Sequence, residues 1–135
     1  MTTATTLITD ALKISGVSPF GVTPSSDDSA SGLRSLNDML HGWAKTGIDL
    51  GHITLVLTDT MRVDDSYLEG IKYNLAARLA SDYGLPLPSQ AMVIAQGALR
   101  AFRAHTLEFD DGAKVDTALQ ARHTLRTGFY NIDEG

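Results

Sequence analysis

Cysteine is absent from the 135 residues, which removes disulfides and thiolate metal sites and suits a protein made in a reducing cytosol. Long apolar runs are missing too. The densest stretch is 53–57, far short of the roughly 20 residues needed to cross a bilayer, so the chain reads as soluble. Positive charge is scarce: a formal charge of −5 divides almost evenly between residues 1–63 and 64–135. Without a basic footprint, tight DNA binding by phosphate neutralisation is disfavoured. Residues 1–9 hold no Lys or Arg ahead of an apolar segment and are rich in threonine, unlike a secretory signal.

Motifs that carry chemistry are also missing. The histidines, His41, His52, His105 and His123, lack the three-to-five spacing and the accompanying carboxylate of a zinc site, so neither metal nor cofactor is expected. There is no G-x-S-x-G elbow, no G-x-x-x-x-G-K-[ST] loop and no Rossmann glycine fingerprint. Acid pairs occur at Asp27 and Asp28, Asp64 and Asp65, and Asp110 and Asp111. Adjacent acids at helix starts and turns are explained by capping and the helix dipole, whereas hydrolytic carboxylates must face each other across a cleft. No enzyme is expected.

What is present is helical periodicity. Ala4, Leu7, Ile8, Ala11 and Leu12 form one stripe of a first helix, which Gly16 stops. Pro19, Gly21 and Pro24 break the next ten residues, and Ser25, Ser26 and Asp27 offer caps for a second helix over about 28–46. Its stripe is Ala30, Leu33, Leu36, Leu40, Trp43 and Ala44, with Trp43 read as core. A third helix begins at 64–66, carries Leu68, Ile71, Leu75 and Leu79, and is expected to be central because Ala76, Ala77 and Ala80 permit close approach. Gly84 ends it, and Pro86 and Pro88 keep the following residues extended. A fourth helix from Ser89 presents Met92, Ala95, Leu99 and Phe102 on one side and Arg100 and Arg103 on the other, with Gly97 suggesting close packing. Val115, Ala118, Leu119, Arg122 and Leu125 fit a short fifth helix.

Two segments stand outside this pattern. Over 52–58, Ile53, Leu55 and Leu57 alternate with Thr54, Val56 and Thr58, which favours a strand. Its partner is either 61–63, through a turn at Asp59 and Thr60, or a neighbouring copy. Beyond Gly128, the large apolar groups of Phe129, Tyr130 and Ile132 are too few to make a core and need a docking surface. The fold class expected is therefore mainly α: a bundle of four to five helices over 1–112 with a short β segment or hairpin, then a C-terminal helix and extended arm over 113–135.

The stretches "LNDMLHGWAKTGI" (36–48) and "LAARLASDYGL" (75–85), in the order helix, Pro/Gly/Ser loop, helix, strand-like stretch, helix, helix, resemble the head-to-tail adaptor family of short-tailed bacteriophages, also called tail accessory or packaged-DNA stabilisation proteins. The resemblance covers roughly residues 6–102. It implies a virion protein of the head–tail junction, made in the host cytoplasm. Many copies, commonly twelve, would add as a ring beneath the portal protein, extend the DNA channel, help retain packaged DNA and present a platform to the downstream tail or nozzle protein. DNA would pass through without sequence-specific binding, which the acidic balance suits. The resemblance also implies a C-terminal arm at 125–132, "LRTGFYNI", that grips portal or neighbour. Candidate interface residues are Arg122, Leu125, Arg126, Phe129, Tyr130 and Ile132 in the arm, and Ile53, Leu55 and Leu57 in the strand-like stretch. The basic group Arg100, Arg103, Lys114, Arg122 and Arg126 reads equally as a solvated face or as an interface to an acidic partner. A helical nucleic-acid-binding regulator is the alternative, with the fourth helix as its nearest approach to a recognition helix. A peptidoglycan-cleaving enzyme ranks behind both.

Overall fold

The computed structural model describes residues 1–51 and 53–110, and the side chains of those up to 105. Four helices follow one another: α1 (Ala4–Ser15), α2 (Ser26–Lys45), α3 (Asp65–Asp82) and α4 (Ser89–Asp110). The mainly helical class is as expected. The proposed fifth helix and the arm lie outside the described residues, as does His52.

Local chemistry sets the helix ends. Thr3 caps α1 by accepting from the Thr6 N–H, Ser25 caps α2 by accepting from Asp28, and Asp64 caps α3 by accepting from Ser66. Gly16, at φ 84°, closes α1. The end of α3 is a Schellman turn: Gly84 adopts φ 67°, the Leu85 N–H donates to Ala80 at 2.8 Å, and Gly84 donates to Ser81 at 3.2 Å. A side-chain-bearing residue rarely adopts that φ, so the glycine is what lets the chain turn toward α4.

α3 is the central helix, packed against α1, α2 and α4. Accordingly Gly70, Ile71, Asn74, Leu75, Ala76, Leu79 and Ala80 are all buried, a face wider than the stripe of a surface helix. Leu7, Ile8 and Leu12 of α1, Leu36 and Met39 of α2, and Ile48 fill the rest of the core. Each such side chain stabilises the fold by about 1.5–3 kcal/mol through burial. Ser15, Ser18 and Asn74 are buried polar residues, and Asn74 links two helices: its Nδ2 donates to the Gly70 carbonyl at 2.8 Å and across to Ala95 of α4 at 3.0 Å.

Two glycines allow the helices to approach. A Cβ on Gly32 would collide with Ile8 of α1, and one on Gly70 would collide with the Phe102 ring and lie 2.7 Å from the Ala98 Cβ. Gly97, expected to mark close packing, faces open space. On α4 the inward residues are Ala91, Ala95 and Phe102, with Ala98 and Leu99 half-buried, while Met92 is exposed. The inward stripe thus runs through Ala91 rather than Met92. In α2, Ala30 and Ala44 are exposed, and Met39 and Gly32 take inward positions instead. Trp43 is half-buried and meets Phe102 edge-on, with ring centroids 5.8 Å apart.

The expected strand does not form; the described residues contain no strand, only an isolated antiparallel bridge between Thr3 and Thr60. Residues 53–61 run as irregular chain whose polar groups are taken by α2, by the start of α1 and Thr2 before it, and by a turn between Val56 and Asp59. The carbonyls of Asp59 and Leu57 accept from the Ala4 and Thr5 N–H groups at 2.8 and 3.2 Å, and the Met61 N–H donates to Thr2 at 2.9 Å. The first N–H groups of a helix have no partner within it, so this segment serves as a cap for α1. Branched alternation gave extended character, but a helix end and an asparagine provided the hydrogen bonds a second strand would have supplied.

Candidate interface surface

The strand-like candidates part company. Leu55 is in the core at 7% exposure, Leu57 packs half-buried against it, and Ile53 stays 58% exposed. Leu55 is fixed by Asn37 of α2, whose Nδ2 donates to the Leu55 carbonyl at 3.0 Å while its Oδ1 accepts from the Leu55 N–H at 2.9 Å. His41, one turn further along α2, shares a hydrogen bond of 3.1 Å between Nε2 and the Thr54 hydroxyl. With its backbone secured and Leu55 inside, this loop presents Ile53 and Val56 outward. Arg122, Leu125, Arg126, Phe129, Tyr130 and Ile132 lie outside the described residues.

Beside this loop is a groove. One part, a cavity of about 280 Å³, is bounded by Leu50, Val63 and Tyr67 and rimmed by Asp49, Arg62, Asp64 and His105. An adjoining apolar cleft shares Leu50, Arg62 and Val63 and continues past Leu40 and Met61 to Ile53 and Leu55. Apolar floor and charged rim together are the anatomy of a protein-docking surface. His105 reaches it from α4, its ring 5.8 Å from that of Tyr67.

A second exposed surface was not singled out from the sequence. Residues 19–22 make a tight turn in which the Val22 N–H donates to the Pro19 carbonyl at 3.2 Å and Gly21 adopts φ 83°. The Ser18 hydroxyl donates to Val22 at 3.2 Å and steadies the turn. Phe20 stands at its corner, 85% exposed, with Val22 beside it. The signal was legible: Pro-Phe-Gly-Val, with glycine where such a turn requires positive φ, puts its second residue at the apex.

Two of the acid pairs behave as caps and first-turn charges, and the side chains of Asp110 and Asp111 lie outside those described. Asp27 and Asp28 lie in the first turn of α2, and Asp64 and Asp65 begin α3. Asp28 also accepts from the Tyr83 hydroxyl at 2.8 Å, a bond that ties the start of α2 to the end of α3. That bond first, and burial second, raise the Tyr83 phenol above its ordinary value. Nearby, Ser35 donates to Asp82 at 3.3 Å across the same helix pair. Among the described residues no three His, Cys, Asp or Glu side chains gather in a way that could hold a metal ion. Arg100 and Arg103 are exposed on α4. No helix among the described residues is long and apolar enough to cross a membrane.

No protein-family model matches the chain, and no curated protein matches it either.

Proposed function

We propose that the chain is a structural adaptor subunit of a short-tailed phage, which adds in many copies beneath the portal ring, extends the DNA channel and offers a platform to the next tail protein. It acts in the virion at the head–tail junction and has no catalytic role. The observation that carries this reading is a pair of unlike apolar surfaces at the two ends of α1: Phe20 and Val22 on a tight turn beyond its C-terminus, and Ile53 and Val56 on the loop that caps its N-terminus. A helix of 12 residues separates them, about 18 Å. Ring subunits associate head to tail, so each copy needs two different surfaces that face in different directions. The motif stretches 36–48 and 75–85 lie on α2 and α3 and their flanks, and their Leu36, Leu40, Leu75 and Leu79 form core, as a family pattern of structural residues would require.

The test is light scattering on the eluted species, with the chain alone and with its cognate portal ring. Adaptor function predicts a stable complex of one multiplicity on the portal. Removal of residues 128–135 should leave the circular dichroism of the helices intact and abolish portal binding; unchanged binding defeats the arm assignment. Filter retention of duplex DNA separates the regulator alternative, because tight sequence-selective retention at moderate salt counts against a channel subunit.

A further inference from the structure

We propose that successive copies of the chain join by a knob and a socket: the Phe20 turn of one copy seats in the groove between Leu50, Val63 and Tyr67 of the next. The inference deepens the adaptor reading, on which it rests for the ring, by naming the contact between neighbours. The knob is formed before it binds. Phe20 is exposed on a turn closed by the Val22 N–H donating to the Pro19 carbonyl at 3.2 Å, and the hydroxyl of buried Ser18 donates to the Val22 carbonyl at 3.2 Å. An ordered turn that holds a large apolar side chain in water brings the free subunit no burial, but it lowers the ordering cost of docking. Val22, also exposed, widens the apolar tip.

The socket fits that tip in size and in chemistry. Its cavity of about 280 Å³ exceeds the ~150 Å³ that admits a benzene ring in a protein interior. The Tyr67 ring in its floor packs against Phe102, centroids 5.0 Å apart, and against His105, so an entering phenyl ring joins an aromatic cluster. The cleft that continues to the exposed Ile53 takes Val22. Charges on the two sides match: Lys13 lies in the last turn of α1 before the knob and Asp27 in the first turn of α2 after it, while the rim offers Asp49 and Asp64 to the cation and Arg62 to the anion. Knob and socket cannot meet within one molecule. The turn leads into α2 at Ser26, and the cleft borders Leu40, about 21 Å further along that helix. They therefore meet between copies, and their places at opposite ends of the subunit make the contact head to tail and repeating. A phenyl anchor with a valine beside it buries far less than the ~800 Å² per partner of a stable pair, so free subunits touch transiently and an array of copies holds the contact.

The absence of cysteine permits a clean test in the full chain, by trapping the transient contact covalently. A chain with Val22→Cys is mixed with one carrying Ile53→Cys, and covalent dimers are followed under mild oxidant; both side chains are exposed, so neither change touches the core. The mixed disulfide should form at least tenfold faster than that joining two Val22→Cys chains. It should also form at least tenfold faster than that joining Val22→Cys to Val93→Cys, a similarly exposed site on α4. Adding Phe20→Ala to the Val22→Cys chain should slow it to those control rates and leave the helical circular dichroism unchanged. One chain carrying both Val22→Cys and Ile53→Cys should give a ladder of dimers, trimers and longer products. Equal rates overturn the proposal, because the groove then serves another occupant, and so does a rate unmoved by Phe20→Ala. A doubly substituted chain that stops at the dimer also overturns it, since the contact is then a two-fold pair. No portal enters the experiment, so its failure is distinct from failure of the adaptor reading, which is read from light scattering with the portal present.

Discussion

The carboxamide of Asn37 closes two hydrogen bonds on the backbone of Leu55, donating to its carbonyl at 3.0 Å and accepting from its N–H at 2.9 Å. One side chain on α2 thereby does for a loop residue what a neighbouring strand would do, and it holds Leu55 in the core. Asn37→Ala leaves both partly buried groups without a partner and should lower stability by about 1–3 kcal/mol. Urea unfolding measures the loss, and amide exchange at Leu55 should quicken more than exchange in the middle of α3.

Glycines at similar helical sites should respond with opposite signs. Gly70→Ala puts a methyl into the Phe102 ring and the Ala98 Cβ, and the overpacking, about 1–3 kcal/mol, exceeds the gain in helix propensity of up to ~1 kcal/mol. Gly97→Ala meets nothing within 4 Å and should gain that propensity without loss. Thermal unfolding of the two variants should therefore shift the midpoint down for the first and up for the second.

Asn74 joins α3 to α4 with its amide donors, so an isosteric change of charge is informative. Asn74→Asp turns donors into an anion facing two carbonyl oxygens and should destabilise by at least ~2 kcal/mol at pH 7. The new carboxyl would have a raised pKa when folded, so the lost stability should partly return as pH falls toward 4 and the acid becomes a donor. Urea midpoints at pH 7 and pH 4 check the direction.

Tyr83 supplies an alkaline dependence. Its hydrogen bond to Asp28, with burial as a second cause, raises the phenol above 10.0, so folding holds that proton more tightly. The associated stabilisation is complete below the unfolded value and is lost as pH rises through the folded one. Wild type should exceed Tyr83→Phe in stability at pH 8, and the gap should narrow above pH 10. A gap that is constant across that range would remove the Asp28 bond as its cause.

The helices and their ends were legible in the sequence because their causes are local. Ser25 and Asp64 as caps, and Gly16 and Gly84 as stops, act on residues within one or two turns, and the stripe of Leu7, Ile8, Ala11 and Leu12 needs only the 3.6-residue repeat. The candidate surface was legible in part. Period-two alternation identified residues 52–58 as unusual, yet Leu55 was read as an interface residue, whereas Asn37 draws it inside. The amide that does so stands 18 positions away and carries no periodic signal.

What the sequence by itself determined was the order of the four described helices, with a central, alanine-rich third helix, since propensity, capping and apolar spacing all act over short separations. Only the tertiary structure decided which glycines are contact points, that residues 57–59 cap α1, and that Leu50, Val63 and Tyr67 frame a groove at the edge of α4. Those outcomes rest on groups far apart in the chain, Gly70 with Phe102, Thr5 with Leu57, Tyr67 with His105, whose meeting is fixed by how the helices pack.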